Sequence, residues 1–258
     1  MTSSKGGVIF PIVFRRLQAE VGYGWATRVI GFIVLVTLTI PAIVLKPRVL
    51  PGKSRQLLDP RAFKEAPYIL FSFAMFLVFI GLYIPFFYIP VYAAERLRVN
   101  EDLAFYLLAV LNAASIFGRI IPNIIADKLG AMHVLIPFTF VAGILSLAWI
   151  GIHDLAGIVV FCVLYGFFSG AIVSLPPTAL VALSPDLSVI GTRMGMCFSF
   201  AGFGLLIGNP IAGALLSSKS GFSGLEAFSG ATVIAGFTFI ALALMMHLKG
   251  KAIEDLKG

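Results

Sequence analysis

The chain has 258 residues, of which 59% are hydrophobic and 12% are charged, and its formal net charge at neutral pH is +7. An average soluble domain has about 25% charged residues, and a water-soluble protein of this size could not bury so much apolar surface, so most of the chain must face lipid. Because the basic residues lie mainly between apolar segments, membrane topology and anionic lipid explain the positive charge better than nucleic-acid binding does.

The N-terminal region predicts one partial and one complete membrane span. The apolar segment Gly6–Phe14 is shorter than the about 20 residues that a helix needs to cross a bilayer, so it is interpreted as the end of a span. A polar, glycine-rich turn is predicted at residues 18–24. The first complete span is Trp25–Leu45, with Trp25 at its boundary, where aromatic residues favour the headgroup region.

Residues 46–65 form a polar connector that contains six lysines and arginines and two acidic residues. The positive-inside rule places this connector in the cytoplasm, although an ordinary solvated linker would have a similar composition. If successive loops alternate between the two sides of the membrane, starting from this connector, the cytoplasmic loops and tail hold eleven basic residues and the loops on the opposite side hold five. The charge bias therefore supports the orientation.

Six further apolar segments predict six more spans, each long enough to cross a bilayer as a helix. The short connectors between them require neighbouring spans to run antiparallel. The predicted spans are Pro67–Tyr92, Leu103–Asp127, His133–Ile152, Leu155–Leu183, Val189–Leu216 and Phe228–His247.

Prolines and small residues indicate bends and close contacts within these spans. Single prolines are common in membrane helices, but the pair Pro176–Pro177 in mid-span predicts a real bend. Three Gly-x-x-x-Gly pairs predict close helix packing. These pairs are Gly166 and Gly170, Gly191 and Gly195, and Gly204 and Gly208.

Arg119 lies within the predicted span Leu103–Asp127. A charged side chain at the centre of a membrane helix costs about 2.5 to 3.5 kcal/mol on insertion scales, which makes a functional role the default hypothesis. The alternative is that Arg119 extends toward the headgroups. Asn112, Ser115 and Arg119 share one helix face, which should turn toward protein or water.

A guanidinium on that face can bind a carboxylate through two parallel hydrogen bonds, so the predicted substrate is a small organic anion. The aromatic side chains expected to line the same lumen are Tyr83, Phe86 and Phe87.

No enzyme motif accompanies this face. The sequence contains neither a phosphate-binding loop nor a His-Glu-x-x-His motif. The histidines lie singly near span ends, and Cys162 and Cys197 lack metal-ligand spacing. The sequence therefore predicts no enzyme activity, no metal site and no cofactor. The alternatives kept open are a non-transporting truncated membrane protein and, with less support, an intramembrane enzyme or a channel.

Several stretches together resemble the major facilitator superfamily, specifically its fungal monocarboxylate-transporter-like members. These stretches are GGVIFPIVFRRL, GYGWATRVIGF, KPRVLPGKSRQLLDPRAFKEAPY, FGRIIPNIIADKLG, YGFFSGAIVSLPPTALVALSPD and IGTRMGM. The resemblance implies twelve helices in two six-helix bundles, and this chain corresponds to the end of helix five through helix twelve. The implied fold class is an all-α integral membrane protein: a six-helix C-terminal bundle with one preceding helix and a partial helix.

The resemblance also implies a domain plan and a cellular setting. Residues 1–46 would be a remnant of the N-terminal bundle, 47–65 a cytoplasmic connector, 66–250 the C-terminal bundle and 251–258 a cytoplasmic tail. The chain would be a fragment of a multi-pass protein of the plasma membrane. Its expected partners are a small organic anion, with or without a coupled proton, the lipid bilayer, and further copies of itself through the exposed bundle face; no nucleic acid is expected.

The resemblance assigns roles to individual residues. Arg119 matches the helix-eight arginine that binds the substrate carboxylate in monocarboxylate carriers. The aspartate found one turn earlier in those carriers is Ser115 here, so proton coupling by that carboxylate is not implied. Asp127, Lys128 and Gly130 match part of the family's loop between helices eight and nine, which acts as a conformational latch.

Overall fold

The computed structural model describes residues 2–44, 58–184, 186 and 188–255, and within these ranges every regular element is helical. The chain divides into two compact units, residues 1–55 and 56–258. The boundary falls within the predicted connector, whose basic residues Lys46, Arg48, Lys53 and Arg55 lie outside the described residues. The predicted all-α membrane fold is confirmed, whereas the domain roles remain predictions.

The first unit contains one long helix, α1 (Thr2–Val44), which is interrupted at Gly22. Gly22 has φ 76° and ψ 166°, a backbone conformation open almost only to glycine. The predicted turn at residues 18–24 is therefore wrong in extent, because the helix runs to this glycine and resumes directly after it. The segment Glu20–Val44 is long and apolar enough to cross a membrane.

The second unit contains eight helices that make up six candidate spans, as predicted. The first span consists of two helices that meet at Tyr83, and the fourth consists of two helices that meet at Leu175. The helices are α2 (Ala66–Leu82), α3 (Ile84–Glu95), α4 (Glu101–Leu129), α5 (Ala131–Ala148), α6 (Leu155–Ser174), α7 (Pro176–Leu183), α8 (Ile190–Leu216) and α9 (Gly221–Asp255). A 3₁₀ turn, Trp149–Gly151, extends α5.

The predicted bend at the proline pair is confirmed. Helix α6 ends at Ser174, and α7 begins with Pro176 and Pro177 in its first turn. Proline is favoured at this position because the first helical N–H groups have no partner within the helix. A continuous helix could not carry the two rings there without losing hydrogen bonds.

The last span begins earlier and ends later than predicted. Helix α9 starts at Gly221 rather than Phe228 and continues past His247 to Asp255. Its first turns contain serine, glycine and Glu226, which lower the local hydropathy. The Glu226 side chain is nevertheless buried, so it packs inside the bundle instead of ending the helix.

Glycines allow two pairs of helices to approach closely. A Cβ atom on Gly166 or Gly170 of α6 would collide with backbone carbonyls of α4, and one on Gly204 or Gly208 would collide with those of α2. Two of the three predicted packing pairs are thus confirmed. A Cβ on Gly195 would meet no atom within 4 Å, so the predicted packing is wrong at that glycine.

Candidate functional site

The predicted polar face of α4 is partly embedded in the bundle. Asn112 and Arg119 are half-buried, whereas Ser115 is 1% exposed. Asn112 Nδ2 donates to the Leu108 carbonyl (2.9 Å), and Ser115 Oγ donates to the Asn112 carbonyl (2.7 Å). Ser115 also lies where Gly170 lets α6 approach α4. Its position is that of a packing residue, and its predicted role in substrate binding stays a prediction.

Arg119 interacts electrostatically with the residue at the break between α2 and α3. Its positive charge acts on the Tyr83 hydroxyl, which places the two side chains in the same electrostatic neighbourhood. The carbonyl of Arg119 accepts a hydrogen bond from Asn123 Nδ2 (2.6 Å), and the same amide donates to Ser174 Oγ (2.8 Å). The helical turn that carries Arg119 is therefore tied to the last residue of α6, next to the Leu175 break.

Aromatic rings continue from Tyr83 into the bundle. The Tyr83 ring lies 5.4 Å from that of Phe86, and the Phe86 ring lies 6.2 Å from that of Tyr165 on α6. Tyr165 also donates to the Leu82 carbonyl (2.8 Å), a backbone group at the α2–α3 break. Phe87 is 59% exposed. The structure thus brings Tyr83 and Phe86 together, with Tyr83 under the influence of the Arg119 charge, and leaves Phe87 largely exposed.

The predicted latch residues lie at the end of α4. Asp127 and Lys128 are exposed in its last turn. Gly130 closes the helix with φ 91°, and its N–H donates to the Ala126 carbonyl (2.8 Å). A side chain would be strained at this φ, which explains the glycine. The latch function itself stays a prediction.

The sequence did not single out a cluster around Arg193. This residue was only one of the eleven basic residues that were counted toward the cytoplasmic side. Arg193 is 1% exposed near the start of α8. Its Nε donates to Asp59 Oδ2 (2.9 Å), and its two terminal nitrogens donate to Glu65 Oε1 and Oε2 (2.6 and 2.7 Å). This paired geometry is the strong form of an arginine–carboxylate contact.

Tyr68 completes the Arg193 cluster. Its hydroxyl donates to the Arg193 carbonyl (2.9 Å), and the guanidinium lies 5.4 Å from the centre of its ring. The cluster attaches residues 59–68 to the first turn of α8. The signal in the sequence was the pair of acids within a basic connector, but their partner lies more than 120 residues away.

No three His, Cys, Asp or Glu side chains in the described ranges lie close enough together to hold a metal ion. Cys162 and Cys197 are both buried as free thiols.

The chain is similar to a protein family and to individual fungal proteins of that family. The profile of the Major Facilitator Superfamily matches residues 1–188. The MFS-type transporter dbaD of Emericella nidulans is 45% identical over 238 residues, which are 91% of this chain and 54% of the relative. An aspyridones efflux protein of the same fungus is 38% identical over 96% of this chain and 51% of its own length.

An agnestins efflux protein of Paecilomyces divaricatus is 37% identical over 98% of this chain and 58% of its own length. The chain spans about half the length of the curated relatives it matches.

Proposed function

Because the chain belongs to the Major Facilitator Superfamily, we propose that its second unit is one of the two helical bundles of a secondary transporter for a small organic anion. The relatives are transporters and efflux proteins, not enzymes, and seven described helices are long and apolar enough to span a membrane. The chain is accordingly a multi-pass membrane protein whose partner is a small-molecule substrate.

The position of Arg119 carries this proposal. The residue lies in the middle of α4 and is half-buried, and its charge acts on Tyr83, whose ring contacts that of Phe86. A guanidinium presents two parallel N–H donors that match a carboxylate, and a neighbouring ring supplies an apolar surface for the rest of the molecule. An organic acid, with monocarboxylates as its simplest members, fits this combination.

The relatives favour export as the direction of transport. Two of them are named as efflux proteins, one for aspyridones and one for agnestins. We therefore favour efflux of an organic acid across the plasma membrane over uptake.

A second bundle is needed for alternating access around a site at the bundle face. Since the chain spans about half of its relatives, we propose that it corresponds to the C-terminal part of a two-bundle transporter. The missing surface would come from the remainder of a longer protein or from another copy of this chain. A chain that remained alone would instead be a non-transporting membrane protein.

The test is flux of a labelled organic acid in proteoliposomes. Arg119→Gln should lower the flux at least about tenfold, because a charge-assisted hydrogen bond contributes about 1.5 to 3 kcal/mol. Arg119→Lys should retain part of the flux, since it keeps the charge and loses the paired geometry. Arg61→Gln, a change at an exposed cation outside the spans, is the matched control.

Unchanged flux in Arg119→Gln would refute the role of this arginine. A purified chain that stays monomeric and moves nothing would refute transport by the 258-residue chain itself.

A further inference from the structure

Glu226 is a buried carboxyl to which nothing above gives a role. It lies in the second turn of α9, and its side chain is 2% exposed. Its Oε1 atom is buried and has no hydrogen-bond partner among the described residues. Glutamate is almost never fully buried unless it is paired, so this atom requires an explanation.

Aromatic rings cluster at the face of α9 that carries Glu226. Phe222 lies one turn earlier on α9, and its ring packs edge-on against that of Tyr92 (5.1 Å, 89°). The Tyr92 ring packs in turn on Trp149 (5.5 Å), while its hydroxyl donates to the Ile152 carbonyl. Trp149 is fully buried, and its Nε1 also lacks a partner within the described ranges. Glu226 Oε1 and Trp149 Nε1 are thus a buried acceptor and a buried donor without hydrogen-bond partners among the described residues.

The charged side chains around Glu226 do not neutralise the carboxylate form of this residue. Arg96, at the end of α3, is the charged residue that acts on it, and the nearby titratable hydroxyl is that of Tyr92. Arg96 is exposed and forms no ion pair with Glu226 in the described structure. Of the other elements that pack on α9, α2 and the 3₁₀ turn contain no charged side chain, and neither His133 of α5 nor Arg193 of α8 acts on Glu226. A buried carboxylate without an ion-pair partner is costly, and binding a proton removes that cost.

Hydroxyl groups lead from Glu226 toward the middle of the bundle. Ser229 lies one turn further along the same face of α9 and is fully buried. Its Oγ donates to the Gly81 carbonyl (2.9 Å) and lies 3.4 Å from Ser146 Oγ on α5. The Tyr165 hydroxyl donates to the Leu82 carbonyl (2.8 Å), the backbone group next to the Gly81 carbonyl that Ser229 binds. The Phe86 ring lies between those of Tyr165 and Tyr83, and the charge of Arg119 acts on Tyr83.

We propose that Glu226 is a proton-binding site and that the hydroxyls of Ser229, Ser146 and Tyr165 couple it to the anion site at Arg119. One proton adds to the carboxyl from the solution at the Arg96 end, and the same proton leaves later in the cycle. The coupling rests on the proposed transport function, whereas proton binding at Glu226 does not.

Infrared difference spectra of the purified chain in nanodiscs, acidic minus alkaline, test the proton site. Wild type should show the C=O band of a protonated carboxyl. Glu95→Gln, a change at an exposed acid at the end of α3, should keep the band, and Glu226→Gln should lose it. Glu226→Asp should shift the band. This second variant provides the test if Glu226→Gln does not fold. A band that persists unchanged in Glu226→Gln overturns the proposal.

Organic-acid flux with and without a pH gradient tests the coupling. Wild-type flux should rise with the gradient, and Glu226→Gln should keep only the flux seen without it. Full acceleration by the gradient in Glu226→Gln overturns the coupling. If wild type shows the carboxyl band but moves no organic acid, the proton site stands and the proposed transport function fails.

Discussion

Arg119 and Arg193 are both arginines of membrane helices, but the structure gives them different surroundings. Arg193 binds two carboxylates in the first turn of α8, while Arg119 lies in mid-helix and is only half-buried. Arg119 could be singled out from the sequence because a charge inside an apolar span is unfavourable. Arg193 could not, because a basic residue at a span boundary is ordinary and its acidic partners are distant in sequence.

We expect Arg193→Ala to lower the free energy of unfolding of the bundle by about 3 kcal/mol, since it leaves Asp59 and Glu65 without their partner. Thermal unfolding in nanodiscs measures the change. Arg61→Ala, at an exposed position, should shift stability by less than about 0.5 kcal/mol. Equal unfolding midpoints for the two variants would show that the cluster does not stabilise the bundle.

At the scale of helices, the sequence predicted the number of spans and the break at Leu175 because both depend on local signals, hydropathy and proline. The ends of α9 were misplaced because hydropathy cannot distinguish a polar residue in water from one buried in a bundle, as Glu226 is. The Gly-x-x-x-Gly pattern could not separate Gly208, where an added Cβ would collide with α2, from Gly195, where an added Cβ would meet no atom within 4 Å. The difference lies in the distant partner, not in the pattern.

Two glycines of α8 provide a matched pair for testing close packing. Gly208→Ala should destabilise the bundle by about 1 to 3 kcal/mol, because the new methyl group would collide with the Ile80 carbonyl of α2. Gly202→Ala, on the same helix, meets no atom within 4 Å and should be neutral or stabilising by up to about 1 kcal/mol. Thermal unfolding of both variants is the measurement, and a neutral Gly208→Ala would contradict the packing.

At the scale of the whole molecule, the composition was sufficient to identify a membrane protein, and the combined motifs were sufficient to identify the family. The relation of Arg119 to the Tyr83–Phe86–Tyr165 rings could not be read from the sequence, because it depends on how α3, α4 and α6 pack together. The substrate class rests on that arrangement and on the chemistry of one guanidinium.

We expect the purified chain to self-associate. The half-buried polar groups of α4, including Asn112 and Arg119, are unfavourable against acyl chains and should seek a protein surface. Cross-linking and mass measurement in nanodiscs at increasing protein-to-lipid ratio should reveal dimers, and Asn112→Leu should reduce them. A monomer at every ratio would count against this surface as an interface.

The hydrogen bonds of Asn123 have a mechanical consequence. Its amide group connects the backbone of Arg119 to Ser174, the last residue before the Leu175 break. A swivel of α7 relative to α6 at this break would pull directly on the helical turn that holds the guanidinium. Movement of α7 and the proposed binding of an anion at Arg119 would thereby be connected through a single side chain.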